Sequence, residues 1–134
     1  MPVDALNVLQ TSVTKTASFS GAALILAGGT PRRGMKARVI YSAATNVSGA
    51  NAVVFSVDVC YDGVPTLWNV DFVAPVINLS TTSQSGEIFI PFDVSPTMVA
   101  GVITAPQIRL TATFSGAGST PTITYQGDLS LTRP

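Results

Sequence analysis

Val53-Val54-Phe55-Ser56-Val57-Asp58-Val59-Cys60-Tyr61-Asp62-Gly63-Val64-Pro65-Thr66-Leu67-Trp68-Asn69-Val70-Asp71-Phe72 is the most strongly patterned stretch of the chain. Val53, Phe55, Val57, Val59 and Tyr61 fall on one side of a period-two alternation, and Ser56, Asp58, Cys60 and Asp62 fall on the other. That period belongs to a strand with one dry and one wet face. Asp62-Gly63-Val64-Pro65 is turn chemistry. Trp68, Val70 and Phe72 then line the apolar side of a return strand, with Asn69 and Asp71 opposite. A symmetric hairpin places Tyr61 against Trp68, Val59 against Val70 and Val57 against Phe72. Such aromatic and β-branched cross-strand pairs stabilise a sheet.

The same signal repeats on both sides of the hairpin. Over residues 36–44, Ala37, Val39, Tyr41 and Ala43 alternate with Lys36, Arg38 and Ser42. In 87–94, Ile88, Ile90, Phe92 and Val94 point inward, and Pro91 marks an edge or a bulge because it lacks a ladder donor. Residues 107–115 set Ile108, Leu110, Ala112 and Phe114 against Arg109, Thr111 and Thr113. Residues 122–132 set Ile123, Tyr125, Leu129 and Leu131 against Thr124, Gln126, Asp128 and Ser130. Earlier, Phe19, Ala23 and Ile25 share the inner side of a strand in 15–27, which ends at Ala27-Gly28-Gly29-Thr30-Pro31. Arg32-Arg33-Gly34 reads as an exposed loop, and Ser95-Pro96-Thr97 as the opening of a short helical turn. Residues 1–14 are weakly patterned and read as an N-terminal arm, leaving 15–134 as a single β-sandwich domain. The expectation is all-β: an antiparallel sandwich of seven or eight strands, either jelly-roll-like or immunoglobulin-like.

Composition narrows the function classes. The 134 residues hold seven Lys plus Arg, seven Asp plus Glu and no His, so the formal net charge is zero. No Ser-His-Asp or Cys-His set can form without histidine. One cysteine and no histidine give neither a His-containing zinc site nor a Cys₄ site. Zero net charge disfavours a nucleic-acid surface and a polybasic membrane surface. Charged residues are 10% of the chain, while Thr occurs 16 times and Ser 13 times. A surface that poor in charge suits a part packed among other parts better than a free monomer. Cys60 lies in a strand-like run and reads as a small half-buried hydrophobe. No secretory leader and no apolar run of about 20 residues is present, so the expectation is a soluble protein made in the cytoplasm.

Two groups of residues could carry function. Asp58 and Asp71 face each other in the symmetric hairpin, and like charges directly opposite are destabilising. A hard cation could relieve them, or they could form a glycosidase-like acid and base pair. A shifted register, or neutralisation by Arg38 or Arg109, is the simpler resolution, since no further ligand or acid accompanies the pair. The second group is basic: Arg32, Arg33, Lys36 and Arg38, four of the seven positive charges within seven residues. It is either a solvated face or a docking patch for an acidic protein surface, to which Arg forks pair bidentately. Phe89 belongs with it, because its side of the strand also carries Glu87 and Pro91, which marks an outer, partner-contacting surface. Catalytic, cofactor-binding and metal-binding residues are expected to be absent. Gly28-Gly29-Thr30-Pro31 lacks the spacing of a phosphate loop.

Gly116-Ala117-Gly118-Ser119-Thr120-Pro121-Thr122-Ile123-Thr124, preceded by Ile108-Arg109-Leu110-Thr111-Ala112-Thr113, resembles the C-terminal half of the small capsid cement, or head decoration, proteins of tailed bacteriophages. Val57-Asp58-Val59-Cys60-Tyr61-Asp62-Gly63 with Trp68 is similar to that family's central hairpin. The resemblance spans roughly residues 15–132. It implies a jelly-roll-like sandwich on the outer surface of an icosahedral head, bound across neighbouring major capsid subunits and reinforcing the shell. It also implies self-association, as a homodimer or a trimer, and no catalytic residues. Independent of the resemblance, a β-sandwich binding module for carbohydrate or receptor, carried on a tail or fibre, is the alternative. An exposed planar aromatic row would mark it, and only Phe89 and Trp68 could contribute.

Overall fold

The structure, a computed structural model, describes residues 8–26, 32–61 and 67–131, with the backbone alone for residues 32–34, 130 and 131. Twelve strands and no helix occur among the described residues. They are β1 (Val8–Lys15), β2 (Phe19–Ser20), β3 (Leu24–Ile25), β4 (Arg32–Thr45), β5 (Asn51–Cys60), β6 (Asn69–Val73), β7 (Ile77–Leu79), β8 (Gln84–Val94), β9 (Thr97–Val99), β10 (Val102–Thr104), β11 (Gln107–Gly116) and β12 (Thr122–Leu131). The count exceeds the expected seven or eight for two reasons. Two strands are interrupted, β2 from β3 at Gly21–Ala23 and β6 from β7 around Pro75, and β9 with β10 forms a small side hairpin.

Eight principal segments therefore build the sandwich. One sheet runs β1-β12-β4-β8, and the other runs β2/β3-β11-β5-β6/β7, with every pairing antiparallel. Counted as segments one to eight, the orders are 1-8-3-6 and 2-7-4-5. Among these eight segments nearly every connection crosses from one sheet to the other, and only segments four and five, β5 and β6/β7, are neighbours in both sequence and space. This is jelly-roll order, two interlocked Greek keys, and it excludes the immunoglobulin-like alternative.

The core lies between the two inner faces. Val53, Phe55, Val57 and Val59 of β5 and Ile108, Leu110 and Ala112 of β11 are fully buried from one side. Ala37 and Val39 of β4, Ile90 and Phe92 of β8, and Ile123 and Tyr125 of β12 close it from the other. Phe55 meets Tyr125 edge-on with ring centroids 4.9 Å apart, and Phe72 meets Phe92 at 5.8 Å. Both pairs bridge the sheets, a geometry aromatic quadrupoles favour.

The differences from the sequence expectation are local and have local causes. The Val57–Phe72 pair forms as expected, but a register shift between Val57 and Asp58 then sets Val70 opposite Asp58 and Asn69 opposite Val59. Val70 is therefore exposed, outside the core. The intended turn at Asp62–Pro65 and the Gly28–Pro31 loop lie outside the described residues. In β4 a second shift between Tyr41 and Ala44 exposes Ala43, at φ 51, and buries Ala44 instead. An extra residue reverses side-chain parity beyond it. The irregular Gly21–Ala23 step does the same to β3, so Leu24 sits opposite Ile108 and Ile25 is turned outward. Arg32–Gly34 is strand backbone, not a loop, because β8 extends to Val94 and pairs with Arg32. Thr97 opens β9 instead of a helical turn. Ala100 (φ 50) and Gly101 (φ 81) close β9 onto β10 with the two left-handed residues of a type I′ turn. Of the segment expected as an arm, residues 8–14 belong to β1 and pair with β12, and residues 1–7 lie outside the described residues.

Candidate docking face

Sheet pairing brings the basic group and Phe89 onto one surface. β4 lies between β12 and β8, so its outward residues stand in rows with theirs. One row reads Asp128, Arg38, Phe89, and the adjacent rows read Gln126, Ile40, Glu87 and Ser130, Lys36, Pro91. Phe89 is 47% exposed, and every other aromatic side chain among the described residues is half-buried or buried. The Lys36 ammonium stands 5.8 Å from its ring centroid, within cation–π reach. Arg38 donates from Nε (3.1 Å) and Nη2 (2.8 Å) to one oxygen of Glu87. That hydrogen bond, and then the charge behind it, raises the Arg38 pKa above its ordinary value. Both partners are about two-fifths exposed, so the pair organises the surface more than it stabilises the fold.

The face is therefore an apolar ring set among fixed charges on the outer side of the sheet. The Arg38 Nε and Nη2 donors are already engaged by Glu87, so that edge of the fork is not open to a foreign carboxylate. Arg32 and Arg33 open β4 at the same end of the sheet, and their side chains lie outside the described part of the structure. Pro91 sits on β8, an edge strand, as its missing donor requires. A groove of about 260 Å³ opens beside the face where β1 bulges away from β12, lined by Val8, Gln10, Ser12, Gln126 and Asp128 among others.

The carboxylate pair resolves differently. Asp58 and Asp71 do not face each other, because the register shift puts Val70 opposite Asp58. Asp58 is 2% exposed on the outer side of β5. It accepts from Ser56 Oγ at 3.0 Å, Thr111 Oγ1 at 2.6 Å and Arg109 Nε at 3.1 Å. Arg109 is its direct cross-strand neighbour on β11. The Arg109 guanidinium in turn lies 4.4 Å from the Trp68 ring centroid. A buried carboxylate needs such partners to remain charged away from water. With its acceptor sites filled by an arginine and two hydroxyls, it is built as a structural ion pair, and no cluster of three or more metal-ligating side chains occurs among the described residues. The guanidinium covers one face of the Trp68 ring.

Two exposed apolar groups carry no signal in the alternation that located the other sites. Met98, Val102 and Ile103 stand on the β9–β10 hairpin, and Val70, Val73 and Val76 along β6 and the approach to β7. Charge distribution marks all of them but Val70, which precedes the exposed Asp71: residues 72–86 and 94–108 contain no Asp, Glu, Lys or Arg. Compared with known protein families, with curated proteins and with solved structures, the chain finds no match.

Proposed function

We propose that this chain is a structural virion protein, a capsid decoration protein that binds the outside of an icosahedral phage head across neighbouring major capsid subunits and stabilises the shell. The observation that carries the reading is Phe89, an exposed aromatic on an outer sheet face, ringed by Lys36, Arg38 and Glu87. An aromatic anchor with a polar rim is the anatomy of a protein interface. Jelly-roll order is compatible with it, although one fold serves many functions. The low charge and Ser/Thr-rich surface noted in the sequence fit a protein that lies against others. Many modest contacts repeated by symmetry would add up to a reinforced shell. The carbohydrate-binding alternative needs a planar aromatic row, and the covering of Trp68 by Arg109 counts against one.

The test is binding to heads. Tagged protein supplied during infection should sediment with intact heads at fixed stoichiometry, and heads lacking it should rupture at lower temperature. Phe89→Ala should weaken binding by roughly 30-fold, the loss of one central anchor. Protein that stays in the free fraction, or heads whose rupture temperature does not change, would sink the proposal.

A further inference from the structure

Four loops meet at one end of the sandwich: 16–18, 45–50, 80–83 and 116–121. None of them contains Asp, Glu, Lys or Arg, and most of their residues are Ser, Thr, Asn or Gly. Lys15, the nearest charge in sequence, holds its ammonium 3.7 Å from the Phe19 ring centroid. Between the first and last of these loops opens a pocket of about 300 Å³. Phe114 and Pro121 supply apolar lining, and Thr16, Ser18, Ser115 and Asn51 supply polar groups. Phe114 is the last inward side chain of β11, where the core runs out, and it is only half-buried.

The polar groups keep capacity for a ligand. Thr16 and Ser115 are exposed, and their hydroxyls have no partner among the described residues. Ser18 Oγ accepts from the Phe114 N–H at 2.9 Å, which leaves its own proton to donate. Asn51 is only 7% exposed and is held at both ends of its amide. Its Oδ1 accepts from Asn46 Nδ2 at 3.1 Å, and its Nδ2 donates to the Ser115 carbonyl at 3.3 Å. The second Nδ2 proton of Asn51 has no partner among the described residues. This set selects a chemical class. No lining side chain ionises, so a phosphate, a carboxylate or an ammonium would lose water without gaining a counter-charge. A purely apolar ligand would desolvate the hydroxyls and the buried amide without pairing them. A sugar ring meets both conditions, because its C–H face is apolar and its hydroxyls donate and accept. We propose that this pocket binds one uncharged sugar unit, its C–H face toward Phe114 and its hydroxyls toward Thr16, Ser115 and Asn51. The volume stands at the lower limit of ligand pockets, roughly 300 Å³, and so admits a single ring. One aromatic at the end of the sandwich suits one sugar, whereas a chain of sugars needs the planar row that is missing from the sheet faces. A ligand of about twelve heavy atoms at ordinary ligand efficiency has a dissociation constant on the order of 1 mM. The inference is independent of what the Phe89 face binds.

Saturation-transfer NMR on the purified full chain tests it, with glucose, galactose, mannose and N-acetylglucosamine as probes. At least one should give a saturable response with a dissociation constant on the order of 1 mM. Thr16→Val and Ser115→Val, both at exposed positions and so expected to keep the thermal midpoint, should each weaken binding by roughly fivefold or more. Phe114→Leu keeps an apolar side chain against the core and removes the ring, and it should weaken binding by a similar factor. Met98→Ala, on the hairpin beyond the opposite end of β11, should leave binding unchanged. Glucuronate should bind no more tightly than glucose. No saturable response with any of the four sugars would overturn the proposal and leave the pocket to an uncharged protein surface. Binding that survives both Ser115→Val and Phe114→Leu, an equal loss in Met98→Ala, or a preference for glucuronate would overturn it as well.

Discussion

Tyr125 carries a cost that the alternation of β12 could not reveal. Its ring is 1% exposed between the sheets, and its hydroxyl has no hydrogen-bond partner there. Leaving a buried hydroxyl unpaired costs about 1–3 kcal/mol. Burial also pushes its pKa up to about 12, from an ordinary value of 10.0. Above pH 10 the unfolded chain gives up the phenolic proton while the folded chain keeps it. Stability that is complete below pH 10 is therefore lost as pH rises toward 12, by about 2 kcal/mol. Tyr125→Phe should raise stability at pH 8 by about 1 kcal/mol, and its advantage over the wild type should widen between pH 10 and 12. Urea unfolding midpoints at both pH values measure this, and an advantage that does not grow with pH would refute it. Asp58 teaches a related lesson. Its position on the outer side of β5 was legible from the sequence, and so was Arg109 as a possible partner. That the carboxylate is almost fully buried was not, because the outer side of a strand is wet only where nothing crosses it.

Among the elements, the strands were readable wherever alternation ran unbroken, as in β8, β11 and β12. They were misread wherever one extra residue reversed it, at Ala43, at Gly21–Ala23 and at the Val57–Asp58 step. A bulge leaves no compositional trace, since the extra residue can be of any type. The sheet edges are protected in different ways: Pro91 removes one backbone donor from β8, Pro75 follows the end of β6, and β2 and β3 are dipeptides. β1 is a longer edge, kinked between Gln10 and Val13. Such devices discourage indiscriminate pairing between sheets. At the end of β11, Gly116 has φ +99, and a Cβ there would stand 2.2 Å from the Ala50 carbonyl oxygen. Both the conformation and the space require glycine. Gly116→Ala should destabilise the protein by about 2 kcal/mol. Calorimetry on the variant checks this, and a thermal midpoint equal to the wild type's would show that the loop shifts freely.

On the scale of the whole molecule, the first strand pairs with the last. Val13 lies opposite Tyr125 and Lys15 opposite Ile123, while Leu9 reaches the core at 4% exposure. Removing residues 1–15 should therefore destabilise the sandwich by about 3 kcal/mol or more, through the lost burial of Leu9 and a newly exposed β12 edge. Thermal unfolding of the truncated chain, together with its tendency to aggregate, measures the effect, and an unchanged midpoint would return the segment to the status of an arm. The Phe89 face arises at the same scale. Its members were individually legible, but Lys36, Arg38 and Glu87 become one surface only because β4 and β8, some 50 residues apart in sequence, are neighbours. By itself the sequence determined the class: alternation of β-branched and aromatic residues requires half-buried strands, and the absence of histidine removes whole families of chemistry. Which strands pair, which carboxylate is buried and which apolar side chains stay wet was decided only by the tertiary structure. Periodicity specifies a side chain's face within its own strand, whereas burial depends on what another part of the chain lays across that face.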